Sequence, residues 1–313
     1  MSKVGIVGVG MVGRAAASAM VERGSCRELV LVDVRQEVAD AVALDLRYGI
    51  STGPPLTVRS GTTADLKGAA LVAITAGANE KSGGATDKSD QQGRLRLLDV
   101  NAGVFQSIVP GVVAVAPEAV LLVVADPPDP LADLTRMLAK HDRVVSTGTF
   151  LDSLRFATHL AEVLQVNPAS VSAQVLGEHG MSEVLVWSAV TISGVPLADV
   201  LKQRGLDAAA FRQQVESAVR SANINIIAGI GASQYGIGAV TARLTEAILR
   251  DERIVAPVGS YQAKDGVTYS LPSVIGAGGV SQVLAPRLSD AEAVALQRSV
   301  ATLQAAAQKL PTR

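Results

Sequence analysis

"KVGIVGVGMVGRAAASAM", Lys3 to Met20, decides how the first half of this chain is read. Apolar residues run up to Val7, glycines follow at Gly8, Gly10 and Gly13, and an alanine-rich stretch continues beyond them. The order strand, glycine turn, helix is the context in which G-x-G-x-x-G spacing serves a dinucleotide; the spacing by itself is weak. Gly8 permits the tight turn, Gly10 lets backbone approach a pyrophosphate, and Gly13 allows helix and strand to pack closely. The helix start at Met11 and Val12 presents N–H groups without intrahelical partners to the phosphates. A second apolar run, "LVLVD", ends in Asp33, twenty residues after Gly13. A carboxylate there accepts hydrogen bonds from ribose hydroxyls and repels a 2′-phosphate, which predicts NAD rather than NADP.

Working outward, "KVGIVG", "ELVLVDV", "PLTVRSG", "ALVAITA", "AVLLVVAD" and "RVVST" alternate with helical stretches up to about residue 147. Near-continuous apolar strands separated by helices predict a parallel sheet covered on both faces, an α/β Rossmann doubly wound fold. Beyond residue 150 the texture changes. Helical patterns are read at about 152–165, 207–230, 236–250 and from Asp290, with strands near 171–176, 184–193, 253–262 and 266–275. That half is expected to be a mixed α+β substrate domain, giving a cofactor domain over 1–148 and a catalytic domain over 149–313.

The chain has 313 residues, 48% of them hydrophobic, enough for a substantial core without staples. A net charge of -1 with scattered Lys and Arg gives no footprint for nucleic acid or an anionic membrane, which leaves small molecules as partners. A single cysteine, Cys26, excludes an intrachain disulfide framework and fits a reducing compartment. Glycines and Arg14 interrupt the N-terminal apolar run, which argues against a signal peptide. The apolar segment 112–125 is broken by Pro117 and Glu118 and is too short to span a bilayer. The expectation is a cytoplasmic protein with no metal site.

Two stretches in the second half carry chemistry. "TFLDSLRFATHL" sets Asp152 and Arg155 three apart on one helix face, and "VLGEHGMSEV" sets His179 in a glycine-flanked loop. Beside a nicotinamide, these are the groups needed to reduce a 2-oxo acid. A protonated His179 can neutralise the alkoxide that develops as hydride arrives. Asp152 would orient the ring and stabilise imidazolium, and the planar fork of Arg155 can grip a carboxylate. His141 and His159 lack such company and are read as surface residues.

"GVGMVG", Asp33, "TAGA", "LDSLRF", "GEHG", "VWS" and "SLPSVIGAGGVSQVL" together resemble the L-lactate/malate dehydrogenase family across nearly the whole chain, closer to its lactate type. The resemblance implies that Asp152 and His179 form a proton relay and that Arg155 binds carboxylate. It also implies that Arg94 polarises the substrate carbonyl from a mobile loop, that Ser233 lies beside substrate, and that Ala76 and Gly77 contact cofactor. A homodimer or homotetramer is implied as well. Ala157 and Ser172 stand where sugar-bisphosphate-activated bacterial members carry Arg and His, so no such activation is expected.

Three departures stand out. The turn after "AVLLVV" usually carries an Asn that contacts substrate, and here it is Asp126; after the histidine, Gly180, Met181 and Ser182 replace the usual Gly-Asp-Ser. An acidic group is read as having moved from position 181 to 126. The stretch "NEKSGGATDKSDQQGR", residues 79–94, is longer than the family's loop and lacks a malate-type Arg before Arg94, although Lys81 or Lys88 could supply that charge. Arg96 is read as facing elsewhere. Lactate/pyruvate is the leading substrate pair. A malate-type or bulkier 2-hydroxy acid is the alternative, and a catalytically silent NAD(H) sensor is the alternative of another class.

Overall fold

The computed structural model describes residues 2–50, 53–78 and 97–310. The segment 79–94, with Lys81, Lys88 and Arg94, lies outside the described residues, as does Arg96. Fourteen strands occur among the described residues. They are β1 Lys3–Val7, β2 Glu28–Val32, β3 Thr57–Ser60, β4 Leu71–Ile74, β5 Val120–Val123, β6 Val144–Ser146 and β7 Val171–Ser172, followed by β8 Val175–Leu176, β9 Val184–Leu185, β10 Thr191–Ile192, β11 Val195–Pro196, β12 Ile254–Gln262, β13 Val267–Gly276 and β14 Gly279–Val283. The α-helices are α1 Met11–Arg23, α2 Gln36–Ile50, α3 Leu98–Val115, α4 Pro128–Ala139, α5 Phe150–Leu164, α6 Leu197–Gln203, α7 Ala208–Ile230, α8 Tyr235–Leu249 and α9 Asp290–Ala307.

Strand alternation builds the two faces of the main sheet. Val4 and Ile6 of β1, Leu29 and Leu31 of β2, Leu71 and Ala73 of β4 and Val120 and Leu122 of β5 point to one face. There they pack on Ala16, Ala17 and Met20 of α1 and on Leu244 and Ile248 of α8. The intervening residues, Val30, Val32, Val72, Ile74, Leu121 and Val123, point the other way onto Phe105, Val109 and Val112 of α3 and Leu131 and Leu134 of α4. Period-2 burial on both faces is why these strands read as unbroken apolar runs.

The parallel part runs in the order β3-β2-β1-β4-β5-β6, so the strand order reverses between β1 and β4. A crevice opens outside the carboxyl ends of strands at such a switch point, which places the turns after Val7 and Ile74 at the site. The sheet does not stop at the domain boundary expected from sequence. β12 pairs antiparallel with β6 through Gly259 and Ser146, and β13 and β14 follow, giving nine strands in all.

Local pattern and outcome diverge in a few places. The strand expected over 184–193 is broken by a 3-10 turn at Trp187–Ala189, leaving β9 in a hairpin with β8 and β10 in a small sheet with β7 and β11. Trp187 turns inward instead, edge-on to Phe156 at 4.8 Å between ring centroids. The short α6 and β14 were not anticipated, since seven and five residues carry little periodicity. Among the described residues, α3 alone is long and apolar enough to cross a membrane by length and composition. Its Leu98, Ala102, Phe105, Val109 and Val112 stripe is buried in the core described above.

Candidate active site

The turn after β1 is shaped by contacts that tolerate no side chain. Gly8 sits at φ +96°, and a Cβ there would collide with the backbone of Ala76; a Cβ on Gly13 would collide with the Gly8 carbonyl. Thr75 Oγ1 donates to that same carbonyl at 2.5 Å, locking the β1 and β4 turns together. Gly10 differs, because a Cβ there would meet nothing within 4 Å. No protein packing requires Gly10; a side chain would instead occupy open space in front of the α1 N-terminus, whose cap supplies no side-chain partner. That open cradle, with the uncapped first-turn N–H groups of Met11 and Val12, fits a pyrophosphate.

Asp33 ends the crevice on the other side. Its Oδ2 accepts from Val9 N at 2.6 Å and its Oδ1 from Arg35 N at 3.0 Å, so two backbone donors fix the carboxylate where a ribose would lie. A cavity of about 750 Å³ joins Gly8, Gly10, Asp33, Thr62, Ala76 and Gly77. The residues present therefore fit a dinucleotide along their whole length, with the carboxylate at one end and the bare glycine turn at the middle.

The second constellation is assembled from distant segments. Asp152 lies in the first turn of α5, 3% exposed, and its Oδ2 is 2.5 Å from His179 Nδ1. Its other oxygen accepts from Arg155 Nη1 at 2.9 Å, the i,i+3 pairing expected from the helix. Arg155 Nη2 donates to Ser233 Oγ at 3.0 Å. Asp126 Oδ1 stands 3.8 Å from His179 Nε2, on the opposite edge of the ring from Asp152. A cavity of about 380 Å³ connects Gly10, Met11 and Val12 to Asp126, Ala232 and Ser233, so the dinucleotide turn opens directly onto this cluster. Met181 is 42% exposed, and its backbone carbonyl accepts from Arg220 Nη1 at 3.4 Å.

Several supporting residues escaped the sequence reading. Asn101, fully buried on α3, accepts from Ala78 N at 2.7 Å and donates to the Asp126 carbonyl at 2.6 Å, tying together the turns after β4 and β5. The one available signal was an amide within an otherwise apolar helical stripe. Asp129 lies beneath the histidine loop and accepts from His179 N at 2.9 Å and Ser146 Oγ at 2.6 Å. Glu178 is buried, and Ser182 N donates to it at 3.1 Å. His141 and His159, read as surface residues, are both half-buried. His141 Nδ1 accepts from Arg143 N at 3.3 Å, burial lowers its pKa, and His159 pairs with Glu162 at 3.1 Å.

Burial pushes the Asp129 carboxyl up to about 7, despite the two hydrogen bonds it accepts. The unfolded-chain value is about 3.9. The raised group therefore stabilises the fold fully below about pH 4 and loses that contribution as pH rises through about 7. Asp129→Asn keeps the shape and an acceptor without titrating. Between pH 4 and 8 the stability difference is expected to move in the variant's favour by on the order of 2–4 kcal/mol. Urea unfolding at several pH values measures this, and a difference that stays constant with pH contradicts it.

Comparison with known proteins agrees with this geometry. A model of the lactate/malate dehydrogenase NAD binding domain matches residues 2–146, and one of the family's alpha/beta C-terminal domain matches residues 149–311. The L-lactate dehydrogenase of Thermus aquaticus is 44% identical over 98% of this chain and 99% of its own. That of Deinococcus radiodurans is 42% identical over 98% and 99%. The crystal structure of minor L-lactate dehydrogenase from Enterococcus mundtii in the ligands-bound form superposes with a TM-score of 0.92 at 35% identity, covering 100% of this chain and 99% of that one. With a cofactor crevice, a buried His–Asp–Arg cluster and family matches over both halves, the chain is an NAD-dependent oxidoreductase and belongs to the lactate/malate dehydrogenase family.

Proposed function

We propose that the protein interconverts a small L-2-hydroxy acid and its 2-oxo acid, lactate and pyruvate first among them, with His179 as proton donor and acceptor. The observation that carries this reading is the His179–Asp152–Arg155–Ser233 chain of contacts, at 2.5, 2.9 and 3.0 Å, opening toward the glycine turn. Bound NADH supplies the hydride that reduces the carbonyl carbon.

The protein's own residues do the rest. Asp152 accepts from Nδ1 of His179, so the proton to be donated sits on Nε2, the ring edge that Asp126 flanks. Proton transfer from Nε2 to the carbonyl oxygen neutralises charge as it develops, and the reverse transfer serves oxidation of the alcohol. Arg155 is held by Asp152 and Ser233, leaving its guanidinium plane oriented for a substrate carboxylate. Gly8, Gly10, Met11, Val12, Gly13, Asp33, Ala76 and Gly77 are assigned to the cofactor, Arg155, Asp126 and Ser233 to substrate. Arg94, outside the described residues, is assigned to the carbonyl.

Charge favours a monocarboxylate. Asp126 and Asp152 balance Arg155 and a protonated His179, which leaves the assigned Arg94, so one substrate carboxylate neutralises the site and a second adds an uncompensated negative charge. A cytoplasmic homodimer or homotetramer, with the two halves divided near residues 148 and 149, belongs to the same proposal. The test is to supply purified protein with NADH and a panel of 2-oxo acids while following NADH absorbance. Pyruvate is expected to be turned over faster than oxaloacetate. Tight NADH binding without turnover of any member would favour a sensor instead.

A further inference from the structure

We propose that Asp126 acts as a second carboxylate on the His179 ring, holding the substrate-side proton there and extending reduction of the 2-oxo acid to higher pH. This rests on the function proposed above. Where the family usually carries an Asn, whose amide can donate to the substrate oxygen, Asp126 brings a group that attracts a proton and, when ionised, donates none.

The geometry separates the two carboxylates by role. Asp152 Oδ2 contacts Nδ1 at 2.5 Å, a direct hydrogen bond. Asp126 Oδ1 is 3.8 Å from Nε2, too long for a direct hydrogen bond and well inside the range over which an opposite charge favours imidazolium. The substrate oxygen must approach that same Nε2, so Asp126 flanks the reacting proton. The backbone of Asp126 is held by Asn101, whose Nδ2 donates to its carbonyl at 2.6 Å. With the Asp126 side chain 20% exposed and that of His179 15%, solvent screens the pair only in part.

Among the described residues, the charged groups around the ring have other hydrogen-bond partners, and the ion pair that Asp126 makes is with His179. Arg155, from α5, spends one guanidinium nitrogen on Asp152 and another on Ser233, not on Asp126. Asp129, from α4, meets the His179 backbone N–H at 2.9 Å, and Glu178, beside the histidine, accepts from Ser182. Arg220, from α7, pairs with Glu216 at 2.8 Å and donates to the Met181 carbonyl. Arg14 and Arg35 line the same cavity as Asp126, but engage the Val9 carbonyl at 3.1 Å and Asp33 at 3.9 Å.

The sign follows. The reductive complex needs the proton on Nε2, and Asp126 stabilises that state, so reduction persists to higher pH. Oxidation needs the neutral ring and sets in only at higher pH. Asp126→Asn removes the charge and keeps the shape, which is expected to lower the proton affinity of the ring about tenfold, or about one pH unit.

Two measurements test this together. In pH profiles of kcat/KM, the alkaline fall of 2-oxo acid reduction and the rise of hydroxy acid oxidation are both expected about one unit lower in Asp126→Asn. Independently of turnover, ¹⁵N NMR titration of the ring in the unliganded protein is tractable because the chain has 3 histidines. His141→Gln and His159→Gln assign the spectrum. A His179 midpoint about one unit lower in Asp126→Asn supports the proposal; a midpoint that is unchanged or raised overturns it. If the wild-type protein reduces no 2-oxo acid, the functional reading fails, and the titration still decides whether Asp126 tunes the ring. Should Asp126→Asn not fold, Asp126→Ser is read by the same criteria.

Discussion

Replacing His179 with asparagine is expected to lower kcat for 2-oxo acid reduction by about 10²–10⁴-fold while leaving NADH affinity within about twofold of wild type, because it removes the proposed proton donor. The separation of effects comes from the layout. Gly8, Gly10, Asp33 and the α1 N-terminus form the dinucleotide crevice from the first half of the chain, and His179 does not line it. The imidazole matters when charge develops on the substrate oxygen, so its loss belongs in kcat and kcat/KM together. Stopped-flow reduction and NADH fluorescence titration measure the two quantities. A fall in NADH affinity matching the fall in turnover would show that His179 supports the fold of the crevice rather than the reaction.

The second large effect is expected at Arg155. Its side chain is 12% exposed, and its guanidinium carries hydrogen bonds to Asp152 at 2.9 Å and Ser233 at 3.0 Å. Arg155→Gln removes the fork that would receive the substrate carboxylate and takes from the Asp152 side chain, 4% exposed, its guanidinium partner, with the His179 ring still in contact. Truncating one partner of a buried, hydrogen-bonded charge pair costs about 2–5 kcal/mol, which corresponds to a loss of about 30- to 5,000-fold in kcat/KM. Most of that loss is expected as a higher KM, and Arg155→Lys is expected to restore only part of it, since an ammonium cannot offer two parallel donors. Full recovery with lysine would mean that charge alone, not the planar fork, is what the substrate needs.

The parts of the site that were legible in the sequence are those built from local grammar. The glycine turn, Asp33 at a strand end and the Asp152–Arg155 spacing each depend on a few consecutive residues whose backbone and periodicity fix the geometry. Strands β1, β2, β4 and β5 were legible because both faces are buried, leaving near-continuous apolar runs. What was not legible depends on which distant segments meet. Nothing local signals that β12 will extend the sheet through Gly259 and Ser146. The placement of Asp126 on the Nε2 edge of His179 is set by the turn after β5 and the loop after β8 meeting in space. Asn101 was passed over because an amide inside an apolar helix reads as an imperfection in the stripe until both of its partners are known. Trp187 was read as part of a strand because its β-forming character is local, whereas its packing against Phe156 is not.

In the proposed reaction this cluster passes one proton from His179 to a 2-oxo acid as the cofactor is oxidised. The most direct measurement is to incubate the enzyme with pyruvate and NADH and to resolve the product by chiral chromatography. L-lactate formed in equal amount to the NADH consumed is the result expected, with at least about a hundredfold less formed by His179→Asn on the same timescale. D-lactate, or NADH consumption without lactate, would contradict it.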